Sequence, residues 1–289
     1  MTNMSAGNQI DSNTLLFGVI GDPIRHSKSP IMMNRAFRET GINGVYTAFH
    51  VTSDRIGDFA AGVRAMGIRG VNVTIPHKLD IMSVLDEIDA SAQAIGAVNT
   101  IVNDAGRLIG YNTDGIGYVR SLKEEAEREL AGKRIVVIGA GGAARGIIYA
   151  LASENPARIT VANRSVDRAK ELVDSLQNKV DIEAISNDGL QTACKQADIV
   201  INTTSVGMFP HTEETPIDAS WLKLGAVASD LIYNPLKTKF LQQAELRGCR
   251  IHGGLGMFIY QGAYAFEYWT GQPAPVTAMR ETVLASLQG

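Results

Sequence analysis

A β-branched run, Ile135-Val136-Val137-Ile138, empties into Gly139-Ala140-Gly141-Gly142-Ala143-Ala144, and small residues then open a helical pattern. Backbone amides bared in this order can approach a pyrophosphate closely, with the positive end of a helix behind them. Gly139 supplies the tight turn, Gly141 the bare backbone and Ala144 the third small position, where helix and strand pack, while Gly142 and Ala143 lie between. An ordinary glycine-rich loop shares these letters. The strand before and the helix after favour a dinucleotide site.

About twenty residues further on, a fold that reads NAD offers Asp or Glu to the ribose hydroxyls. Here the next strand, Arg158–Asn163, ends instead in Asn163, Arg164 and Ser165, with Arg168 one helical turn beyond Arg164. A carboxylate would repel a 2′-phosphate, whereas two guanidiniums could clamp it with charge-assisted hydrogen bonds. NADP is therefore the expected cofactor, weighed against the bland reading of a solvated arginine pair opening a helix. The strand Ala197–Asn202 runs into Thr203, Thr204 and Ser205, small polar residues suited to line the cofactor groove, and Val227–Pro235 repeats the design.

The first half carries neutral polar groups and a lysine. Ser29 followed by Pro30 reads as an N-cap with proline at the first helical position. The hydroxyls of Ser27 and Ser29 beside open helix amides would also suit a carboxylate, and both readings can hold together. Asn72 and Thr74 are two apart and share one face of the strand Gly70–Lys78, which Pro76 ends. Lys78 then sits at a strand-to-helix junction, although a lone lysine is usually a solvated charge. Gly96–Tyr111, which contains Asn99, reads as a hairpin with turn chemistry at Asn103–Gly106. It leads to Asp114, which could be no more than the N-cap of a helix beginning near Ile116.

The elements that must position these groups alternate strand and helix, which argues mostly parallel sheets covered by helices. A chain of 289 residues suggests two domains, and hydrophobic content of 45% with 20% charged residues is that of a soluble globular protein. A net charge of −3 gives no electrostatic case for nucleic acid or an anionic membrane. No apolar stretch is long enough to cross a bilayer. Residues 1–14 lack the features of a secretory signal and read as a frayed tail. Cys194 and Cys249 are far apart and read as buried thiols in a reducing cytoplasm. The five histidines are neither paired at helical spacing nor clustered with acids, so no metal site is expected. Phe240–Arg247 reads as a helix stopped by Gly248; Gly253, Gly254 and Gly256 look like a return linker. The helix from Met257 packs Tyr264, Phe266, Tyr268 and Trp269 as core.

Ser27-Lys28-Ser29-Pro30, Asn72 to Lys78, Gly96 to Asn99 and Asn112-Thr113-Asp114-Gly115, in that order ahead of the glycine turn, closely resemble the shikimate dehydrogenase family from about Leu15 onward. The resemblance implies an α/β substrate domain (1–114 plus 255–289) and a Rossmann-type NADP domain (115–254), with the active site in the cleft between. It implies reversible NADPH-dependent reduction of 3-dehydroshikimate to shikimate, with Lys78 as general acid and Asp114 holding its ammonium. Ser27 and Ser29 would hold the substrate carboxylate; Asn72, Thr74, Asn99, Asp114 and Gln261 would serve the ring, with Tyr233 nearby. Leu231 would lie against the nicotinamide, with Thr203 and Gly254 also at the cofactor. Asn163-Arg164-Ser165 nearly matches the Asn-Arg-Thr of the family's NADP users. The expected partners are small molecules only, for a monomer or homodimer. Two alternatives remain: a quinate/shikimate dehydrogenase using NAD, and a non-catalytic NADP-binding regulator.

Overall fold

The computed structural model describes residues 10–174, 176 and 180–288. The chain divides into two compact units: unit 1, residues up to Thr113 together with those from Gly262, and unit 2, Asp114–Gln261.

Unit 1 begins with β1 (Leu15–Gly21), α1 (Ser29–Thr40), β2 (Gly44–His50), α2 (Ile56–Ala65) and β3 (Gly70–Val73). It continues through β4 (Glu87–Ile88), α3 (Ala90–Ile95), β5 (Thr100–Asp104) and β6 (Arg107–Tyr111). The sheet runs β2-β1-β3-β5-β6-β4. β1 pairs in parallel with both β2 and β3, whereas β3–β5 and β5–β6 are antiparallel. The antiparallel pair is the expected hairpin. Ala105 and Gly106 take positive φ of 50° and 97°, as a two-residue type I′ turn requires. Asn103 fixes it by accepting from Gly106 N (2.8 Å) and donating to the carbonyls of Ile68 (2.9 Å) and Val63 (3.3 Å).

Several expectations for this unit are corrected. β3 ends at Val73 rather than Lys78, because Thr74 O accepts from His77 N (3.0 Å) and closes a turn ahead of the lysine. Ser29 is the first residue of α1, not its cap; Lys28 holds the cap position without a side-chain bond. Ser27 Oγ instead accepts from Ser29 N (3.3 Å). The supposed tail lies outside the described residues up to position 9, but Asp11–Thr14 is tied down rather than frayed. Asp11 Oδ1 accepts from Asn13 N (2.8 Å) and Asn43 Nδ2 (2.9 Å), and Thr14 Oγ1 donates to Asn43 Oδ1 (2.9 Å).

Unit 2 comprises α4 (Asp114–Glu125), β7 (Arg134–Ile138), α5 (Gly142–Ala152), β8 (Arg158–Ala162), α6 (Val166–Asp174), β9 (Ile182–Ile185) and α7 (Asn187–Gln196). It closes with β10 (Ile199–Asn202), β11 (Val227–Asp230), α8 (Lys239–Leu246), β12 (Arg250–His252) and the start of α9 (Leu255–Thr270). All its pairings are parallel, in the order β12-β11-β10-β7-β8-β9. This is the doubly wound order of dinucleotide folds, reversing direction between β7 and β10. One apolar cluster joins α4 and α5 to one sheet face, and a second joins α7 and α8 to the other. Cys194 and Cys249 are buried, and burial pushes the Cys194 thiol up to about 12.

The chain leaves unit 2 inside α9, between Gln261 and Gly262, and not at the glycines before it. Those glycines are packing positions. A Cβ at Gly254 would lie 2.0 Å from Leu231 O, and one at Gly256 would lie 1.9 Å from Ser121 Oγ. In unit 1, the end of α9 and α10 (Val276–Gln288) complete an aromatic core. Phe17 lies 4.7 Å from Phe37 and 5.4 Å from Trp269, and Phe37 lies 5.6 Å from Phe266. Trp269 Nε1 donates to Ile101 O (2.9 Å). Tyr268 departs from the expectation of core: it is 43% exposed, and its ring lies 4.7 Å from that of Tyr111.

Candidate active site

Unit 1 gathers its candidate residues around the C-terminal ends of β1 and β3. Ser29, Asn72 and Asn99 are buried, and Ser27, Thr74 and Lys78 are partly buried. Thr74 N donates to Ile20 O (3.0 Å), which continues the line of β3 and holds the threonine beside Gly21. Lys78 is fixed through its backbone, since Val98 N donates to Lys78 O (2.8 Å). Asn99 Oδ1 accepts from Thr113 N (2.8 Å) and Thr100 Oγ1 (3.0 Å), and its Nδ2 donates to Thr113 Oγ1 (3.0 Å).

Asn72 is occupied within the protein. Its Oδ1 accepts from Tyr46 Oη (2.7 Å), while Nδ2 reaches Thr100 Oγ1 (3.2 Å) and Asn99 O (3.3 Å). Both of its donor directions are spent on neighbours, which makes it a brace between β3 and β5. Tyr46 is not among the residues that the sequence singles out. Its ring is buried and its hydroxyl donates to Asn72 Oδ1, with burial lifting the phenol well above its ordinary range. His77 was missed too. It is fully buried, with Nε2 2.6 Å from Val51 O; its Nδ1 has no partner among the described residues. That bond fastens the turn carrying Lys78 to the end of β2.

In unit 2 the glycine turn joins β7 to α5. Gly139 has φ 112°, and a Cβ there would lie 2.4 Å from Thr203 Oγ1, so the position requires glycine twice over. Thr203 Oγ1 donates to Ile138 O (2.8 Å), which locks it under the turn. Gly141 is extended and caps α5 without a side chain, and an added Cβ at Gly141 or Gly142 would meet nothing within 4 Å. The amides of the first turn of α5 thus face an open approach, while Ala144 is fully buried where helix and strand pack. These features fit a pyrophosphate.

Asn163 Nδ2 donates to Ser165 O (2.8 Å) and shapes the bend after β8. Arg164, just before α6, and Arg168, in its first turn, are exposed. Neither has a carboxylate partner among the described residues; Asp167 faces Lys170 at 3.9 Å instead. Two unpaired guanidiniums with no acid at the strand end fit a 2′-phosphate. Leu231 N donates to Asn202 O (3.1 Å), Gly254 N donates to Ile232 O (3.1 Å), and Tyr233 stacks on Phe258 at 4.7 Å. Burial raises the Tyr233 phenol. Asp114 is buried and opens α4 as its first helical residue, not as a cap ahead of Ile116. Gln261 Nε2 donates to Phe258 O (2.8 Å). Neither group of ≥ 3 metal-ligating side chains nor a helix long and apolar enough to cross a membrane occurs among the described residues.

Sheet order, glycine turn and open amides define unit 2 as a dinucleotide-binding unit of the Rossmann type, joined in one chain to an α/β unit of small polar side chains. Residues 19–101 match the model of the shikimate dehydrogenase substrate-binding domain, 121–215 that of shikimate/quinate 5-dehydrogenase and 254–284 that of the shikimate 5′-dehydrogenase C-terminal domain. Shikimate dehydrogenase (NADP(+)) of Geobacillus kaustophilus is 50% identical across 94% of this chain and 99% of its own. A crystal structure of a shikimate dehydrogenase in complex with NADP+ superposes with TM-score 0.92 at 43% identity, covering 98% of this chain and 99% of that one. Shikimate 5-dehydrogenase from Listeria monocytogenes, in complex with shikimate and NAD, gives 0.90 at 39%, covering 95% and 98%. The chain belongs to the shikimate dehydrogenase family.

Proposed function

We propose that this chain catalyses the reversible NADPH-dependent reduction of 3-dehydroshikimate to shikimate, a step of aromatic amino acid (chorismate) biosynthesis. The observation that carries the reading is the chemistry of the two units. Unit 1 sets small neutral polar side chains and Lys78 near the ends of β1 and β3, and unit 2 presents open helix amides with two unpaired guanidiniums. NADPH supplies the hydride. The residues of the chain supply everything else.

The ring carbonyl that accepts the hydride becomes an alkoxide and needs a proton within hydrogen-bond reach. Lys78 Nζ gives it, and in the oxidising direction takes it back, with Asp114 as the second catalytic group. Ser27 and Ser29 hold the substrate carboxylate, and Thr74, Asn99 and Gln261 its hydroxyls, each of which would cost binding if left unpaired. Asn72 acts one step back, by bracing Thr100 and Tyr46. The amides after Gly141 take the pyrophosphate, with Ala140, Gly142 and Ala143 forming its wall. Asn163, Arg164, Ser165 and Arg168 take the 2′-phosphate, and Leu231 lies against the nicotinamide, with Thr203 and Gly254 also at the cofactor. The two buried thiols suit a reducing cytoplasm.

A second reading, quinate oxidation with NAD, is favoured by one observation: the family model over 121–215 covers quinate as well as shikimate enzymes. Asn163 and Arg164 standing where NAD users carry an acid oppose it. A non-catalytic NADP-binding regulator would have no use for Lys78 or Asp114. Initial rates with 3-dehydroshikimate and NADPH, beside shikimate and quinate with NADP and NAD, separate the three. Faster turnover of quinate with NAD would overturn the proposal, as would NADPH binding without any turnover.

A further inference from the structure

The end of β11 is polar where a strand buried on both faces would ordinarily be apolar. Val227, Ala228, Ser229 and Asp230 are all fully buried. Successive side chains of a strand point to opposite faces, and the packing agrees: Val227 belongs to the apolar cluster of α4 and α5, and Ala228 to that of α7 and α8. Ser229 and Asp230 therefore head separate networks, one on each face.

On the α4 face, Ser229 Oγ lies 2.9 Å from Tyr118 Oη and 2.9 Å from His252 Nδ1, and His252 Nε2 lies 2.7 Å from Ser121 Oγ. Tyr118, Ser121 and His252 are as buried as the serine. Tyr118 and Ser121 follow Asp114 by four and seven residues, so all three share one side of α4. The chain of bonds thus pins the helix that begins at Asp114 to β11 and β12. On the opposite face, Asp230 accepts from Thr238 Oγ1 (2.8 Å), Asn202 Nδ2 (3.1 Å) and Ile232 N (3.1 Å). Thr238 caps α8, and Asn202 Oδ1 accepts from Thr204 N (3.0 Å), which shapes the loop after β10. Leu231 follows directly.

Burying so many polar groups costs stability unless all are satisfied, and when satisfied they allow one arrangement only. We propose that Ser229 and Asp230 are positioning residues for hydride transfer: their networks, one on each face of β11, fix the Leu231–Tyr233 segment at the nicotinamide end and the helix that opens with Asp114. This rests on the function proposed above. Neither residue touches the reacting atoms.

The test uses the full chain carrying S229A, Y118F or D230N, with S229T as the hydroxyl-retaining rescue. Binding is read with NADPH and with 2′-phospho-ADP-ribose, which lacks the nicotinamide; turnover is read with NADPH and 4-deuterated NADPH. The three variants should bind 2′-phospho-ADP-ribose as the unaltered protein does and lose several-fold in NADPH affinity. Their kcat should fall about 10- to 100-fold, the range for a small misplacement of reacting groups. A larger deuterium effect on kcat should accompany the loss, and S229T should recover most of it. Y118F removes a single oxygen and guards against a variant that fails to fold. Equal weakening of NADPH and the fragment, or unchanged kcat and isotope effect per folded molecule, would overturn the proposal. Failure of the functional reading shows separately, as absence of turnover in the unaltered protein, and the binding comparison needs no turnover.

Discussion

Replacing Asp230 with asparagine should change how stability depends on pH more than it changes stability itself. The carboxyl is fully buried, and burial pushes its pKa up to about 6, against 3.8 for the exposed group, despite bonds from Ile232 N, Thr238 and Asn202 that favour the charge. The partners are neutral, and the phenol of Tyr118 is the titratable group that feels the carboxylate. A carboxyl whose folded pKa is raised favours folding in its protonated form. Its contribution is complete below the unfolded pKa near 4 and is lost as pH rises through 6. The rise of about two pKa units corresponds to roughly 3 kcal/mol, withheld from the native state above pH 6 and returned by pH 4. Asparagine does not titrate, so the stability difference between the two proteins should shift by about 2–3 kcal/mol between pH 4 and pH 7, in favour of the variant at the higher pH. Urea unfolding of both proteins at half-unit steps of pH measures this directly. Carboxylates whose partners hold them low, such as Asp198 and Glu127, slope the other way but cancel in the difference. A difference flat within 1 kcal/mol across that range would show that Asp230 titrates as an exposed group does, and the reasoning from its burial would fail.

Lys78→Ala should lower turnover by about 10²–10⁴-fold with little change in substrate affinity, the usual range for a positioned general acid, and near-normal kcat would remove the lysine from the chemistry. Arg164→Ala should raise the KM for NADPH and leave that for NADH almost unchanged, because only the former carries the 2′-phosphate; equal losses would refute the clamp. Gly115→Ala would place a Cβ 2.1 Å from Gly146 O, where α4 meets α5. Such overpacking costs about 1–3 kcal/mol, so calorimetry should show the melting temperature lowered by several degrees, and an unchanged value would mean that the helices separate freely.

The parts of the fold that sequence made legible are those in which local chemistry dictates the answer. The turn at Ala105–Gly106 follows from positive φ at two adjacent residues, and the turn at Gly139 from a strand, a glycine and a following helix. Elements whose reasons lie elsewhere in the chain were illegible. Ser29 looks like a cap because a hydroxyl precedes Pro30, yet the helix begins one residue earlier, with Lys28 at the cap position and Ser27 Oγ accepting from Ser29 N. The glycines at 254 and 256 look like a flexible return, whereas they answer to Leu231 O and Ser121 Oγ, contacts that no spacing reveals. Tyr46 and His77 were invisible for the same reason. A tyrosine on an alternating strand reads as apolar until its hydroxyl is seen on Asn72.

Hydrogen-bond saturation separates the kinds of recognition that each unit can offer. In unit 1 the side-chain amide of Asn99 is already engaged by protein groups, so a ligand there exchanges one set of neutral bonds for another. Net gain from such an exchange is small, about 1 kcal/mol per bond, but a misplaced hydroxyl leaves a buried group unpaired and costs more. That asymmetry yields discrimination between polyhydroxylated rings rather than tight binding. In unit 2 the amides after Gly141 and the guanidiniums of Arg164 and Arg168 have no such prior engagement, so a phosphate adds charge-assisted bonds without displacing protein partners. Under the proposed site assignments, affinity would be concentrated in the cofactor and selectivity in the substrate. This division suits a dehydrogenase that must hold one common cofactor while choosing among related cyclic hydroxy acids.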